Sequence, residues 1–185
     1  MPLNLEMAPT EEMVKIALEI QPYQVSLVPE KRQEITTEGG LDVCSQETNL
    51  SKIREKLHYK KILLSLFIDP DEEQVDAAKR INADSIEINT GKYTELLLAE
   101  EIEAELERIQ ISAKRGAERG LKVFAGHGLN YKNVKNIAAI PEIEELNIGH
   151  FIVGQAIYRG MENAVIEMIN AIKREVDKQA DFGSI

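Results

Sequence analysis

A chain of 185 residues with 43% hydrophobic content is long enough for one domain with a substantial core, and its single cysteine, Cys44, excludes an internal disulfide and a cysteine-based structural metal site. Thirty-two acidic against 22 basic side chains give a formal charge of −10, which disfavours nucleic acid and anionic membranes as partners but leaves room for a small phosphorylated ligand, since helix N-termini and loop N–H groups hold phosphate even in an acidic protein. No apolar run approaches the roughly 20 residues that span a bilayer, and MPLNLEMAPTEEM has the marks of neither a secretory signal nor a transit peptide, so the expected compartment is the cytoplasm.

Along the chain one pattern repeats: a short apolar run, a turn, and a longer amphipathic stretch, which predicts parallel strands joined by helices. The predicted strands are Leu3–Ala8, Gln24–Pro29, Ile62–Asp69, Ser85–Thr90, Lys122–Gly126 and Glu145–Gly149. Between them the periodicity places helices at Thr10–Ile20, Asn49–Leu57, Asp71–Asn82, Leu97–Arg119 and Asn133–Ile140, with a last helix from Glu162 to about Lys178. Thr10 is a plausible N-cap, Asp69-Pro70-Asp71 followed by acidic residues is a good helix start, and Gly120 sits where a glycine ends a helix. One domain over residues 1–179 is expected, with 180–185 as a frayed tail.

In Leu3-Asn4-Leu5-Glu6-Met7 and Ser85-Ile86-Glu87-Ile88-Asn89 apolar and polar residues alternate, although both segments read as central strands. A barrel explains this, because its strands turn one face to the helices and the other inward to the site; an open doubly wound sheet would show more continuous apolar strands. Glu6, Glu87 and Asn89 then fall on the inward side. A complete (β/α)8 barrel has eight βα units and about 250 residues, whereas six units are countable here, so a TIM-type barrel shortened to about six units is expected. The opening inside a strand, at Pro2-Leu3-Asn4, is what a deletion or late start would produce.

His127, in Ala125-Gly126-His127-Gly128-Leu129 after an apolar strand, is the sharpest local signal: an imidazole at a strand's C-terminal end suits proton transfer, and flanking glycines allow close approach. A structural histidine in a turn is the alternative. Asn147-Ile148-Gly149-His150, leading into a short helix over His150–Tyr158, fits the phosphate site that barrels build after their last strands, or equally a plain glycine turn. Glu6 and Glu87 are inward carboxylates suited to acid or base work, or to pairing with a lysine or arginine. The long polar segment from Val28 to Val43 suggests a binding loop in which Lys31, Arg32, Thr36 and Thr37 could reach phosphate or hydroxyl groups, or a solvated excursion. His58 reads as a surface residue, Cys44 as an incidental thiol, and the run Glu100-Glu101-Ile102-Glu103-Ala104-Glu105 as the wet face of a helix.

Six segments in the same order resemble the pyridoxine 5'-phosphate synthase family: NLEMA at 4–8, LVPEKRQEITTEGGLDV at 27–43, SLFIDPDEEQ at 65–74, IEINTG at 86–91, AGHGLNYKNV at 125–134 and IPEIEELNIGH at 140–150. The resemblance implies a cytoplasmic enzyme, often octameric, that condenses 1-deoxy-D-xylulose 5-phosphate with 3-amino-2-oxopropyl phosphate, without a metal or organic cofactor. It makes Glu6 the glutamate acid/base, His127 the proton donor and Glu87 the transition-state stabiliser. Thr36 matches a contact to deoxyxylulose phosphate, and Gly128, Gly149 and His150 match the site for the amino-oxopropyl phosphate. The family begins with two further βα units that carry an aspartate–histidine pair, a second catalytic histidine and phosphate-binding arginines, to which no segment here corresponds. Asn89 stands where the family commonly has histidine. Two functions therefore remain: the enzyme itself, or a non-catalytic phosphate-binding or assembly relative.

Overall fold

The computed structural model describes residues 2–29 and 39–182, with 174–182 as backbone alone. Six strands, β1 (Asn4–Met7), β2 (Gln24–Leu27), β3 (Leu63–Ile68), β4 (Ser85–Asn89), β5 (Lys122–Gly126) and β6 (Ile143–Asn147), form one parallel sheet in chain order. Helices alternate with them: α1 (Glu11–Ile20), α2 (Val43–Tyr59), α3 (Glu72–Arg80), α4 (Gly91–Glu95), α5 (Ala99–Glu118), α6 (Val134–Ala138), α7 (His150–Arg159) and α8 (Met161–Phe182). The architecture is an α/β half-barrel. Among the described residues the outer edges of β1 and β6 have no strand beside them. None of these helices is long and apolar enough to cross a membrane.

The alternation along the strands sorts the two faces of the sheet. Val25, Leu27, Leu64, Leu66, Ile68, Ile86, Ile88, Val123 and Ala125 are fully buried in the core, together with helix residues such as Leu50, Leu57, Val75 and Ile109. The register places the intervening residues in rows on the other face. Glu6 pairs with Ser26, Ser26 with Ser65 and Ser65 with Ser85; above them Phe67 pairs with Glu87, Glu87 with Phe124 and Phe124 with Glu145. That face collects the polar residues of the strands, as the alternation in the sequence implied.

Local chemistry accounts for the starts of the early helices. The Thr10 hydroxyl accepts from Met13 N at 3.3 Å, and Asp71 caps α3 by accepting from Glu73 N at 2.9 Å. Glu72 and Glu73 in the first turn of α3, with Lys79 and Arg80 in its last, complement the helix dipole. Gly120, at φ 74°, follows the end of α5 and donates its N–H to Ala117 O at 2.9 Å.

Several boundaries differ from the sequence expectation, for physical reasons. Helix α2 begins at Val43 rather than Asn49, because Asp42 accepts from Ser45 N at 3.2 Å while the Gln74 amide oxygen, reaching across from α3, accepts from Val43 N at 2.7 Å and Cys44 N at 3.2 Å. The Asp42 carboxylate is held below its ordinary pKa by its hydrogen bonds from Ser45 and then Gln74. Its replacement by alanine should cost about 1 kcal/mol, the usual worth of an N-cap, in urea unfolding at pH 7. Strand β6 starts at Ile143, two residues earlier than expected, joining β5 through an irregularity between Val123 and Phe124; Gly149 thereby lies outside the strand, as the N-cap of α7. The short α4 was not expected, and α8 continues through Phe182, past the expected stop near Lys178.

Candidate active site

The inward face centres on Glu87, which is half-buried in the middle of β4. Burial pushes its carboxyl up to about 7; a hydrogen bond to the Asn147 side chain on β6 opposes that rise, and the negative charges of Glu6 and Glu145 add to it. Room for this carboxyl depends on Gly126: a Cβ there would lie 2.3 Å from Glu87 Oε1 and 3.0 Å from Asn147 O. Glu6, exposed on β1, is close enough for its charge to act on Glu87. The two carboxylates expected on one face are therefore on one face, with different degrees of burial.

His127 directly follows β5 and is exposed, with φ at 83°. A non-glycine residue rarely adopts this conformation, which persists only where its surroundings over-determine it. Those surroundings are visible. The Thr90 hydroxyl lies 2.8 Å from the carbonyl oxygen of Gly126 and 2.6 Å from that of His127, and Thr90 N donates to Gly126 O at 2.8 Å. Phe67 meets the imidazole edge-on, with ring centroids 6.3 Å apart. Two glycines let these parts close up: a Cβ on Gly91 would stand 2.7 Å from His127 Cδ2, and one on Gly128, at φ 74°, would stand 2.1 Å from Thr94 Oγ1.

Gly128 and Gly149 lie two residues beyond Gly126 and Asn147, which are register partners, so both belong to the same end of the sheet. Gly149, Gly128 and His150 are exposed; Gly149 has open space where a side chain would be, and His150 opens the ten-residue helix α7 with its N-terminus at that end. Thr36, with Lys31, Arg32 and Thr37, lies outside the described residues. His58 is exposed as expected, and the half-buried Cys44 thiol lies 3.4 Å from Glu73 O, with its pKa raised mainly by burial.

One surface reading is overturned. Glu105 was expected on the wet face of its helix, yet it is only 3% exposed, with Lys92 Nζ at 2.7 Å and Arg108 Nη1 at 2.8 Å. It turns inward because those two cations compensate its charge. Beside it a pocket of about 140 Å³ opens between Asp69, Asn89, Gly91, Arg108 and His127. The sequence offered Asp69 only as part of a helix start and Asn147 only as part of a turn, and it did not pair Glu105 with Lys92 and Arg108; the alternation that puts Asn147 on the inward face is the one signal for its contact with Glu87.

The model of the family "Pyridoxal phosphate biosynthesis protein PdxJ" matches residues 1–174. The chain is 56% identical over 167 residues to a pyridoxine 5'-phosphate synthase of Sulfurihydrogenibium sp. (strain YO3AOP1), covering 90% of this chain and 68% of that protein. It is 54% identical over 168 residues to the Zymomonas mobilis protein of the same name, covering 91% and 65% respectively. The chain thus spans about two thirds of the length of these relatives. Among solved structures, its fold is similar to a xylose isomerase domain protein from Planctomyces limnophilus, with a TM-score of 0.57 at 14% identity over 94% of this chain and 71% of that one. It is also similar to an HpcH/HpaI aldolase from Desulfitobacterium hafniense, with a TM-score of 0.54 at 12% identity over 93% and 73%. A family match across nearly the whole chain, relatives at half identity or more, and carboxylates and a histidine gathered at one end of a parallel half-barrel lead to one conclusion: this chain belongs to the PdxJ family of pyridoxal phosphate biosynthesis proteins.

Proposed function

We propose that this chain supplies the larger part of a pyridoxine 5'-phosphate synthase active site, condensing 1-deoxy-D-xylulose 5-phosphate with 3-amino-2-oxopropyl phosphate to pyridoxine 5'-phosphate with release of phosphate and water. The observation that carries this reading is the pairing of a half-buried carboxyl titrating near 7, Glu87, with an exposed histidine held at positive φ at the end of the next strand. Ring closure on two held substrates needs several proton transfers, and groups titrating near the working pH move protons best. Glu6, exposed and close to Glu87, is the acid/base that takes a proton from the substrate. His127 donates one, while Glu87, whose burial favours its protonated form, stabilises the polar transition state by hydrogen bonding. The N–H groups of Gly128, Gly149 and His150 hold the amino-oxopropyl phosphate, where the N-terminus of α7 adds positive potential. Thr36 contacts the deoxyxylulose phosphate.

In this reading the half-barrel is six units of a TIM (β/α)8 barrel in one domain over residues 1–179, and two further βα units fill the space between β6 and β1. Leu3, beside β1, is 52% exposed, and Ile157 and Tyr158, on the helix that follows β6, are 79% and 86% exposed, apolar surfaces that further chain would cover. The enzyme works in the cytoplasm as a homo-oligomer and needs neither metal nor organic cofactor. Its partners are small phosphorylated substrates rather than nucleic acid or membrane.

Titration with inorganic phosphate, followed by backbone amide resonances, tests the site. The Gly128, Gly149 and His150 amides should move together and saturate. Shifts confined to other parts of the molecule would contradict the assignment.

A further inference from the structure

Asp69 follows β3 immediately, and its Oδ1 accepts from two donors at once: Gly40 N at 2.9 Å and Asn89 Nδ2 at 2.9 Å. Asn89 in turn uses its Oδ1 to accept from Gly91 N, also at 2.9 Å. Asn89 is 5% exposed, so this amide is fixed in orientation: nitrogen toward the carboxylate and oxygen toward the start of α4. Gly91 is the residue against which the His127 ring packs, and Thr90, between Asn89 and Gly91, is the residue that contacts the His127 carbonyl. Three strand ends are thus connected in sequence, from β3 through β4 to β5.

The arrangement has the logic of a supporting shell. A catalytic imidazole must be held within a fraction of an ångström of its working position, and His127 sits in a backbone conformation that its own residue type disfavours. Thr90 and Gly91 hold it there, but they occupy a turn of which the first helical N–H, that of Gly91, is satisfied by Asn89 rather than by a side chain of the N-cap residue Thr90. Asn89 can serve that N–H only while its amide stays in register, and the Asp69 carboxylate fixes the register. Gly40 is specific to this contact as well: a Cβ there would stand 2.2 Å from Asp69 N and 2.4 Å from Ile68 C, so only glycine brings its N–H to the carboxylate.

We propose that Asp69 is a positioning residue for His127, acting through Asn89 and the Thr90-Gly91 turn. The catalytic meaning of this relay rests on the proton-donor role proposed for His127; its geometric content does not. Three substitutions separate the steps. D69A removes the acceptor, N89A removes the link, and D69N keeps an amide oxygen able to accept from both Gly40 and Asn89. In the present chain, the cross-relaxation between His127 Hδ2 and the Gly91 α-protons should be strong, should be lost in D69A and N89A, and should be retained in D69N. The ring resonances of His58 and His150 should stay in place, which a general loosening of the fold would not allow. Should D69A fail to fold, N89A and D69N still decide the matter. In a chain that turns over, D69A should lower kcat by about 10–100-fold, the scale of a small displacement of a catalytic group, with KM changed by less than about threefold. Persistence of the His127–Gly91 contact in folded D69A or N89A would overturn the proposal. Loss of the contact with kcat unchanged would support the relay and overturn instead the catalytic role of His127.

Discussion

Replacing His127 by alanine, or Glu6 by glutamine, should each lower the rate of pyridoxine 5'-phosphate formation by about 10²–10⁴-fold in a chain that turns over, the usual scale for a general acid or base. The two changes test different atoms. H127A removes the imidazole from an exposed turn, and E6Q keeps shape while removing the carboxylate's capacity to take a proton. Because groups that act on one reaction as a unit are strongly non-additive, the double variant should be little worse than the poorer single one. Steady-state assays of the four proteins check this. Independent, multiplying losses would indicate that the two residues do not serve a common sequence of proton transfers.

Glu87→Gln should change the pH dependence of stability more than any other single substitution on the inward face. In the unfolded chain Glu87 titrates at its ordinary value of 4.5, whereas in the fold burial holds it near 7. Below 4.5 it is protonated in both states and contributes no pH dependence. Between 4.5 and 7 the unfolded state gives up the proton that the folded state keeps, so stability falls as pH rises through this window, and above 7 the loss is complete. At 1.36 kcal/mol per pH unit, the span of the shift sets an upper limit of about 3 kcal/mol. The glutamine variant, neutral at every pH, should therefore match the parent near pH 4 and exceed it by up to about 3 kcal/mol at pH 8, while losing activity. Urea unfolding of both proteins across pH 4–8 checks it; parallel curves would show that Glu87 ionises normally in the fold. A site that holds a carboxyl protonated at the expense of stability fits a functional role better than a structural one.

How much of this could be read beforehand depends on how local the determining interactions are. The strands were legible because apolar runs between turns need no distant information, and β5 was found at its true bounds, Lys122–Gly126. The inward placement of Glu6 and Glu87 followed from alternation alone. Helix α2 was misjudged because half of its cap is Gln74, about thirty residues away in sequence and on another helix. Glu105 was misjudged for a like reason: a buried glutamate looks like a solvated one until Lys92 and Arg108 are brought to it by the fold. At the site, the flanking glycines of His127 were visible, but the reason for them was not. Gly126 makes room for Glu87, Gly128 for Thr94, and Gly91, unremarked in the sequence, for the imidazole itself. The Asp69–Asn89 hydrogen bond joins residues 20 apart in sequence, on the ends of neighbouring strands, and only the register brings them together.

The inward face should do synthase chemistry once the open edges of the sheet are covered. The direct measurement follows pyridoxine 5'-phosphate formed from 1-deoxy-D-xylulose 5-phosphate and 3-amino-2-oxopropyl phosphate by two proteins side by side: the 185-residue chain alone, and the same chain joined at its N-terminus to the first two βα units of a relative such as the Sulfurihydrogenibium synthase. Without the phosphate clamps and second acid/base that the family resemblance implies for those units, the chain alone should form product slower by orders of magnitude. The folded joined protein should turn over, and should lose that activity on H127A. Full activity from the 185-residue chain alone, or a folded joined protein that makes no pyridoxine 5'-phosphate, would contradict the account.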